Sequence, residues 1–172
     1  SHVLRNNNIN DCVTILHKYR IPVMGGFIFG LDSDNIETMA LRLKYISNSR
    51  LNWFSICLLT PYPKTFVHKR LIYQNRLTHD NYPNDWHLYN CTHVLYKPKN
   101  FSSEELTDFF INSSIKYYSE ENVKKILFRT IWNLKSLKRT YYFYLWVVNH
   151  WQSIKKFQVI QRFFRICEFL YK

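Results

Sequence analysis

The sequence predicts an α/β protein with parallel strands and crossover helices, and three observations carry that expectation. Two short apolar runs, residues 23–30 and 52–60, are bounded by turn residues, as buried strands are. They alternate with amphipathic helical stretches, in the order helix, strand, helix, strand within about 60 residues, which is the signature of a parallel sheet. The stretch 124–172 differs in charge and aromatic content and has helical spacing, so an α-helical tail is expected to follow.

Each element has its own signal. Ile9, Val13, Leu16 and Tyr19 recur at helical spacing over residues 8–19, and Arg20-Ile21-Pro22 ends that helix. Ile36, Met39, Leu43 and Ile46 mark the next helix, with Asp34 or Asn35 placed to cap it. The second strand stops at Pro61 and Pro63. Residues 64–76 predict a short helix with Phe66, Val67 and Leu71 on one face. Residues 78–92 are turn-rich, and His93 to Tyr96 is a candidate short strand. Ser102-x-x-Glu105 is a capping box that opens a helix with Leu106, Phe109, Phe110 and Tyr117 inward. Ser119 caps another helix, whose stripe is Val123, Ile126, Leu127, Leu134 and Leu137. A last helix is expected over about 152–171, from the spacing of Ile154, Phe157, Phe164, Cys167 and Leu170.

Charge separates the tail from the rest. Residues 1–123 carry 13 Lys and Arg against 11 Asp and Glu, a balance of +2, whereas residues 124–172 carry 11 against Glu168 alone, a balance of +10. Three segments are therefore expected: 1–76, 77–123 and 124–172. No run approaches the roughly 20 apolar residues of a membrane span, and no secretory signal is visible, so a cytoplasmic chain is expected. Cys12, Cys57, Cys91 and Cys167 are scattered, which predicts four reduced thiols. The chain opens on Ser1 in helix-like sequence, which fits either a processed protein or a piece of a longer one.

A family resemblance rests on ordered residues. Gly26-x-Ile28-x-Gly30, followed by the acidic helix start Leu31-Asp-Ser-Asp-Asn-Ile-Glu-Thr38, resembles the fifth strand of radical S-adenosylmethionine enzymes. Leu59-Thr-Pro-Tyr-Pro-Lys-Thr65 looks like the sixth-strand ending of the same superfamily. Asn75-Arg-Leu-Thr78, Asp85-Trp86, Tyr89, Thr92-His-Val94, Lys97-Pro-Lys99 and Ser103-Glu-Glu-Leu106 follow in an order similar to members that also carry an N-terminal cobalamin-binding domain. The likeness covers about residues 5–125. It implies the last strands and helices of an incomplete TIM-like barrel, with Gly26, Ile28, Gly30, Thr60 and Pro61 against the adenosyl group of S-adenosylmethionine. A glycine at a strand end admits close backbone approach to a ligand; equally, it permits tight strand–helix packing.

The resemblance also implies a four-iron four-sulfur cluster on a CxxxCxxC motif, and a cobalamin, in the parent protein. Here no two cysteines lie within 33 positions of each other, so the chain is expected to be inactive alone, with its cluster domain either lost or carried by a separate N-terminal half. Where the family usually has glycine, this chain has Arg20 at a helix end and Lys64 in a turn. If the left-handed geometry is kept, each costs about 1 kcal/mol.

Other groups are read more plainly. His79, His87, His93 and Cys91 lack a zinc-ligand spacing and are taken as loop and strand residues. Asp32 and Asp34 are taken as turn and cap residues, and His68 and Lys69 as a solvated helix face. The basic aromatic tail has three readings: a helical cap packed on the rest, an anionic-membrane contact, or a nucleic-acid contact.

Overall fold

The structure is a computed structural model that describes residues 9–150 together with Arg165 and Cys167. Its described residues form a mixed α/β fold of six α-helices and a two-stranded parallel sheet that does not close into a barrel. In chain order these are α1 (Ile9–Lys18), β1 (Met24–Phe29), α2 (Ile36–Asn48), β2 (Trp53–Leu58), α3 (Phe66–Tyr73), α4 (Ser103–Tyr117), α5 (Glu120–Leu134) and α6 (Leu137–His150). A single 3₁₀ turn spans Trp86–Leu88. The alternation of helix and strand expected up to α3 is present. The expected strand at His93 to Tyr96 is reduced to one antiparallel bridge between Leu77 and Tyr96.

The chain divides into two compact units, one from the described parts of Ser1–Gly25, Asn48–Phe54 and Lys116–Lys172, the other from Gly26–Ser47 and Ser55–Ile115. In the first, Asn52 is fully buried and joins three helices to the residue before β1. Its Oδ1 accepts from Val23 N–H at 2.7 Å and from His17 Nε2–H at 2.8 Å. Its Nδ2 donates to Thr130 Oγ1 on α5 at 3.3 Å, and its carbonyl accepts from Tyr144 Oη on α6 at 3.1 Å. Trp53 stacks on Tyr118 and meets the edge of Tyr144. The inner stripe of α5 is Val123, Ile126, Leu127, Thr130 and Leu134.

Leu137 does not continue that stripe. Lys135 takes a left-handed conformation (φ 47), which ends α5, and Leu137 opens α6 instead, largely exposed. No glycine or proline marks this break, so the helical spacing of the sequence runs across it. The helix expected over 152–171 lies outside the described residues, except that Arg165 and Cys167 are helical, the latter buried.

In the second unit, Asn35 caps α2, its Oδ1 accepting from Thr38 N–H at 2.8 Å while Thr38 Oγ1 accepts from Asn35 N–H at 3.0 Å. The Ser102–Glu105 box forms reciprocally, at 3.1 and 2.7 Å. Leu106 is fully buried, while Phe109 and Phe110 are half-buried. α3 departs from expectation: Thr65 caps it through His68 N–H, and this register buries His68 and Leu71 and leaves Phe66 exposed. His68 is therefore not a solvated face residue; its Nε2 lies 3.2 Å from Asp80 Oδ1.

Besides Lys135 after α5, two more helix ends are closed by non-glycine residues with positive φ. At the end of α1, Arg20 (φ 58) donates to His17 O and Ile21 donates to Leu16 O, the paired bonds of a left-handed cap. Asn75 (φ 52) repeats the arrangement after α3. Lys64 also sits at φ 68, so both positions where the resemblance expects glycine keep glycine's geometry.

Two outcomes follow. Arg20→Gly is expected to raise the unfolding free energy by about 1 kcal/mol, whereas Arg20→Ala leaves it unchanged, because alanine has the same left-handed cost; urea denaturation followed by circular dichroism reads both. Asn52→Leu strands the Val23 amide and the His17 ring N–H, so it is expected to cost roughly 3 kcal/mol. A loss below about 1 kcal/mol would remove Asn52 from the centre of this account.

Candidate functional site

The candidate site lies at the C-terminal ends of β1 and β2, in the second unit. Side chains alternate across a strand. On β1 this turns Phe29 into the protein and leaves Gly26 and Ile28 exposed. The strand was expected to be buried; one of its faces is open instead, because the two-stranded sheet brings no third element over it among the described residues. A Cβ at Gly26 would meet only Ser55 Oγ, at 3.6 Å, so Gly26 and Ser55 share that face. Cys57, two residues on, shares it too.

Gly30 has a different duty. Its φ is +88, and a side chain there would overlap Tyr96 Oη and Leu106. Its carbonyl accepts from the buried Tyr96 hydroxyl, and its N–H donates to Asp34 Oδ2 at 3.0 Å. Both backbone groups of Gly30 are thus engaged within the chain, and glycine is required for close packing. Burial pushes the Tyr96 hydroxyl well above its ordinary value, which keeps it a donor. Asp34 also accepts from Leu31 N–H at 3.0 Å and pairs with Arg42, whose guanidinium lies 4.6 Å over the Phe29 ring. Asp34 is a turn-binding residue, as expected.

Asp32 is more than a turn residue. Arg76 at 2.7 Å, Arg70 at 3.2 Å and Lys99 at 3.5 Å surround its carboxylate. The hydrogen bond from Arg76 holds the Asp32 carboxyl below the usual range, against the opposing effect of burial. Three cations around one carboxylate leave this mouth electropositive.

At the end of β2, Thr60 is half-buried and Pro61 buried. The Thr60 carbonyl accepts from Tyr62 N–H at 2.9 Å, and its hydroxyl donates to Leu58 O at 3.3 Å. A carbonyl has a second lone pair, so that bond does not exhaust Thr60 as an acceptor. Beside it sits a group that no spacing signalled: Cys57, Tyr62 and Cys91. Tyr62 Oη lies 3.4 Å from Cys91 Sγ, and the Leu58 amide donates to Cys91 O at 2.8 Å. That hydrogen bond to Cys91, with burial second, pushes the Tyr62 hydroxyl up to about 12. Cysteines 34 positions apart leave no local signature.

Among the described residues, no three His, Cys, Asp or Glu side chains converge on a metal position. A four-iron cluster takes three or four thiolates, so these residues do not fit one. The open face at Gly26 and Ile28 does leave room for a flat ligand. No helix among the described residues is long and apolar enough to cross a membrane.

Comparison with known proteins points one way. No protein-family model matches the chain, and no solved structure matches it. It is 30% identical over 121 residues to bacteriochlorophyllide d C-12(1)-methyltransferase of Chlorobaculum tepidum, covering 70% of this chain and 25% of that enzyme. An uncharacterized methyltransferase of Pyrococcus horikoshii is 24% identical over 141 residues, 77% of this chain and 29% of that protein. Hopanoid C-2 methylase of Rhodopseudomonas palustris is 38% identical over 73 residues, 42% of this chain and 14% of the methylase. The chain thus spans less than a third of the length of each of these curated relatives. It has distant, partial homology to radical S-adenosylmethionine methyltransferases.

Proposed function

We propose that this chain is the C-terminal portion of a radical S-adenosylmethionine methyltransferase, the last strands and helices of a partial barrel that hold the adenosyl part of the cofactor. The observation that carries the reading is the open face of β1, where Gly26 and Ile28 stand exposed, in a chain with partial homology to methyltransferases. S-adenosylmethionine, when bound, supplies the methyl or adenosyl group of the chemistry; this chain's own residues position it. Gly26 admits the ligand to the backbone, Ile28 flanks the purine, and Thr60 and Pro61 offer backbone carbonyls at the β2 end. Gly30 shapes the mouth from behind, through Tyr96 and Leu106. The cluster, and a cobalamin, belong to a separate N-terminal part, without which the chain is inactive.

Equilibrium dialysis with S-adenosylhomocysteine tests this. The chain is expected to bind it weakly, and Gly26→Val to weaken binding about tenfold, or about 1.4 kcal/mol, at an unchanged melting temperature. The Gly26 position has space for the change, so folding is not at stake. Equal binding by both proteins would sink the adenosyl assignment.

One observation favours a second reading, a non-enzymatic module that rests on an anionic membrane. Phe128 and Trp132, one helical turn apart on α5, are 70% and 79% exposed among Lys124, Lys125 and Lys135. Lys124 and Lys125 pair with Glu120 and Glu121 one turn back; exposed aromatics on a lysine-bearing helix suit a lipid headgroup boundary. Flotation with phosphatidylserine vesicles is expected to carry the chain upward, and the double change Phe128→Ala and Trp132→Ala to abolish this. A chain that stays with the soluble fraction, or that instead shifts nucleic acid in a salt-sensitive manner, rejects the membrane reading.

A further inference from the structure

We propose that Cys57 and Cys91 form an oxidation-sensitive dithiol site, which closes to a disulfide in the folded chain when it meets a peroxide. The site stands on geometry that does not depend on the adenosyl assignment. The Leu58 amide donates to the Cys91 carbonyl at 2.8 Å, so the turn that carries Cys91 is backbone-bonded to the end of β2. Backbones joined in this way run about 5 Å apart, within the roughly 4.4–6.8 Å that a disulfide bridges between Cα atoms. Cys91 lies near enough to Cys57 to add to the upward shift of its thiol. Both are free and half-buried, so a small oxidant reaches them.

The surroundings fix which sulfur acts first. Burial pushes the Cys57 thiol up, with the nearby Cys91 adding to the shift, so Cys57 stays protonated. Cys91 has Tyr62 Oη at 3.4 Å, a hydroxyl that keeps its proton to high pH and donates to a thiolate. The Cys91 turn is braced by Asn90 Oδ1, which accepts from Thr92 N–H at 3.0 Å and from Thr92 Oγ1 at 2.6 Å. The Cys91 sulfur attacks one oxygen of the peroxide and gives up its proton; the O–O bond breaks, and the departing oxygen leaves as water. The Cys57 sulfur then attacks the Cys91 sulfenic sulfur and releases its proton; the S–O bond breaks, and the hydroxyl leaves as a second water. Two thiols and one hydrogen peroxide thus give one disulfide and two waters, with two electrons passing from sulfur to peroxide. The bond ties the 89–92 turn to β2, three residues before Thr60.

Peptide mapping of the 172-residue chain tests the proposal. Trypsin separates Cys57 in peptide 51–64 from Cys91 in peptide 77–99. After limited hydrogen peroxide and alkylation, the linked pair of these peptides is expected to exceed every other cysteine pairing by about tenfold, as the high effective concentration of a neighbouring thiol requires. A thiol reductant restores both free peptides, and urea abolishes the preference. Cys57→Ser removes the link and leaves Cys91 open to a sulfenic-acid probe. A folded wild-type chain in which the two peptides stay separately alkylated, or in which other pairings form equally, overturns the proposal.

Discussion

A two-stranded parallel sheet cannot sustain itself: it has two edges, little buried face, and strand ends with unpaired backbone groups. Everything else in the described structure answers that constraint. At the entry to the strands the answer is Asn52. A side-chain amide offers an acceptor and donors at one point, and here they serve the residue before β1, a histidine on α1 and a threonine on α5. Burying an amide is unfavourable unless every group finds a partner. That condition makes Asn52 selective for one arrangement of the elements it joins.

The far ends of the strands are answered by a second set. Asp34 gathers the amides of Gly30 and Leu31 and pairs with Arg42, while Tyr96 takes the Gly30 carbonyl. Asp32 then draws Arg70, Arg76 and Lys99 to the same mouth. The loop after β1 is thereby rigid and electropositive without a metal ligand in it.

The glycine motif therefore separates into two jobs. Gly26 lies on the open face, where a side chain would meet only Ser55 Oγ. Gly30 lies on the packed side, where a side chain would displace Tyr96 and Leu106. A spacing of two between the outer glycine, Ile28 and Gly30 puts all three on one nominal face of a strand. The turn at Gly30 (φ +88) is what rotates the last of them out of that register. Arg20 and Lys64 show the converse: the backbone geometry is retained although glycine is absent, so tertiary contacts override the local preference.

The sequence by itself determined what is local. Helix faces, the Ser102–Glu105 and Ser119 caps, the Asn35 cap and the two apolar strands are encoded within a few residues of one another, because their hydrogen bonds and side-chain stripes repeat at short spacing. Only the tertiary structure decided what is distant or sterically conditional. It buried His68 rather than Phe66 through the Thr65 cap, broke the α5 stripe at Lys135, opened one face of β1, made Asn52 the joint of α1, α5 and α6, and brought Cys57 to Cys91. Contacts between residues 34 to 92 positions apart leave no periodic trace in the chain, and only the packed structure brings them together.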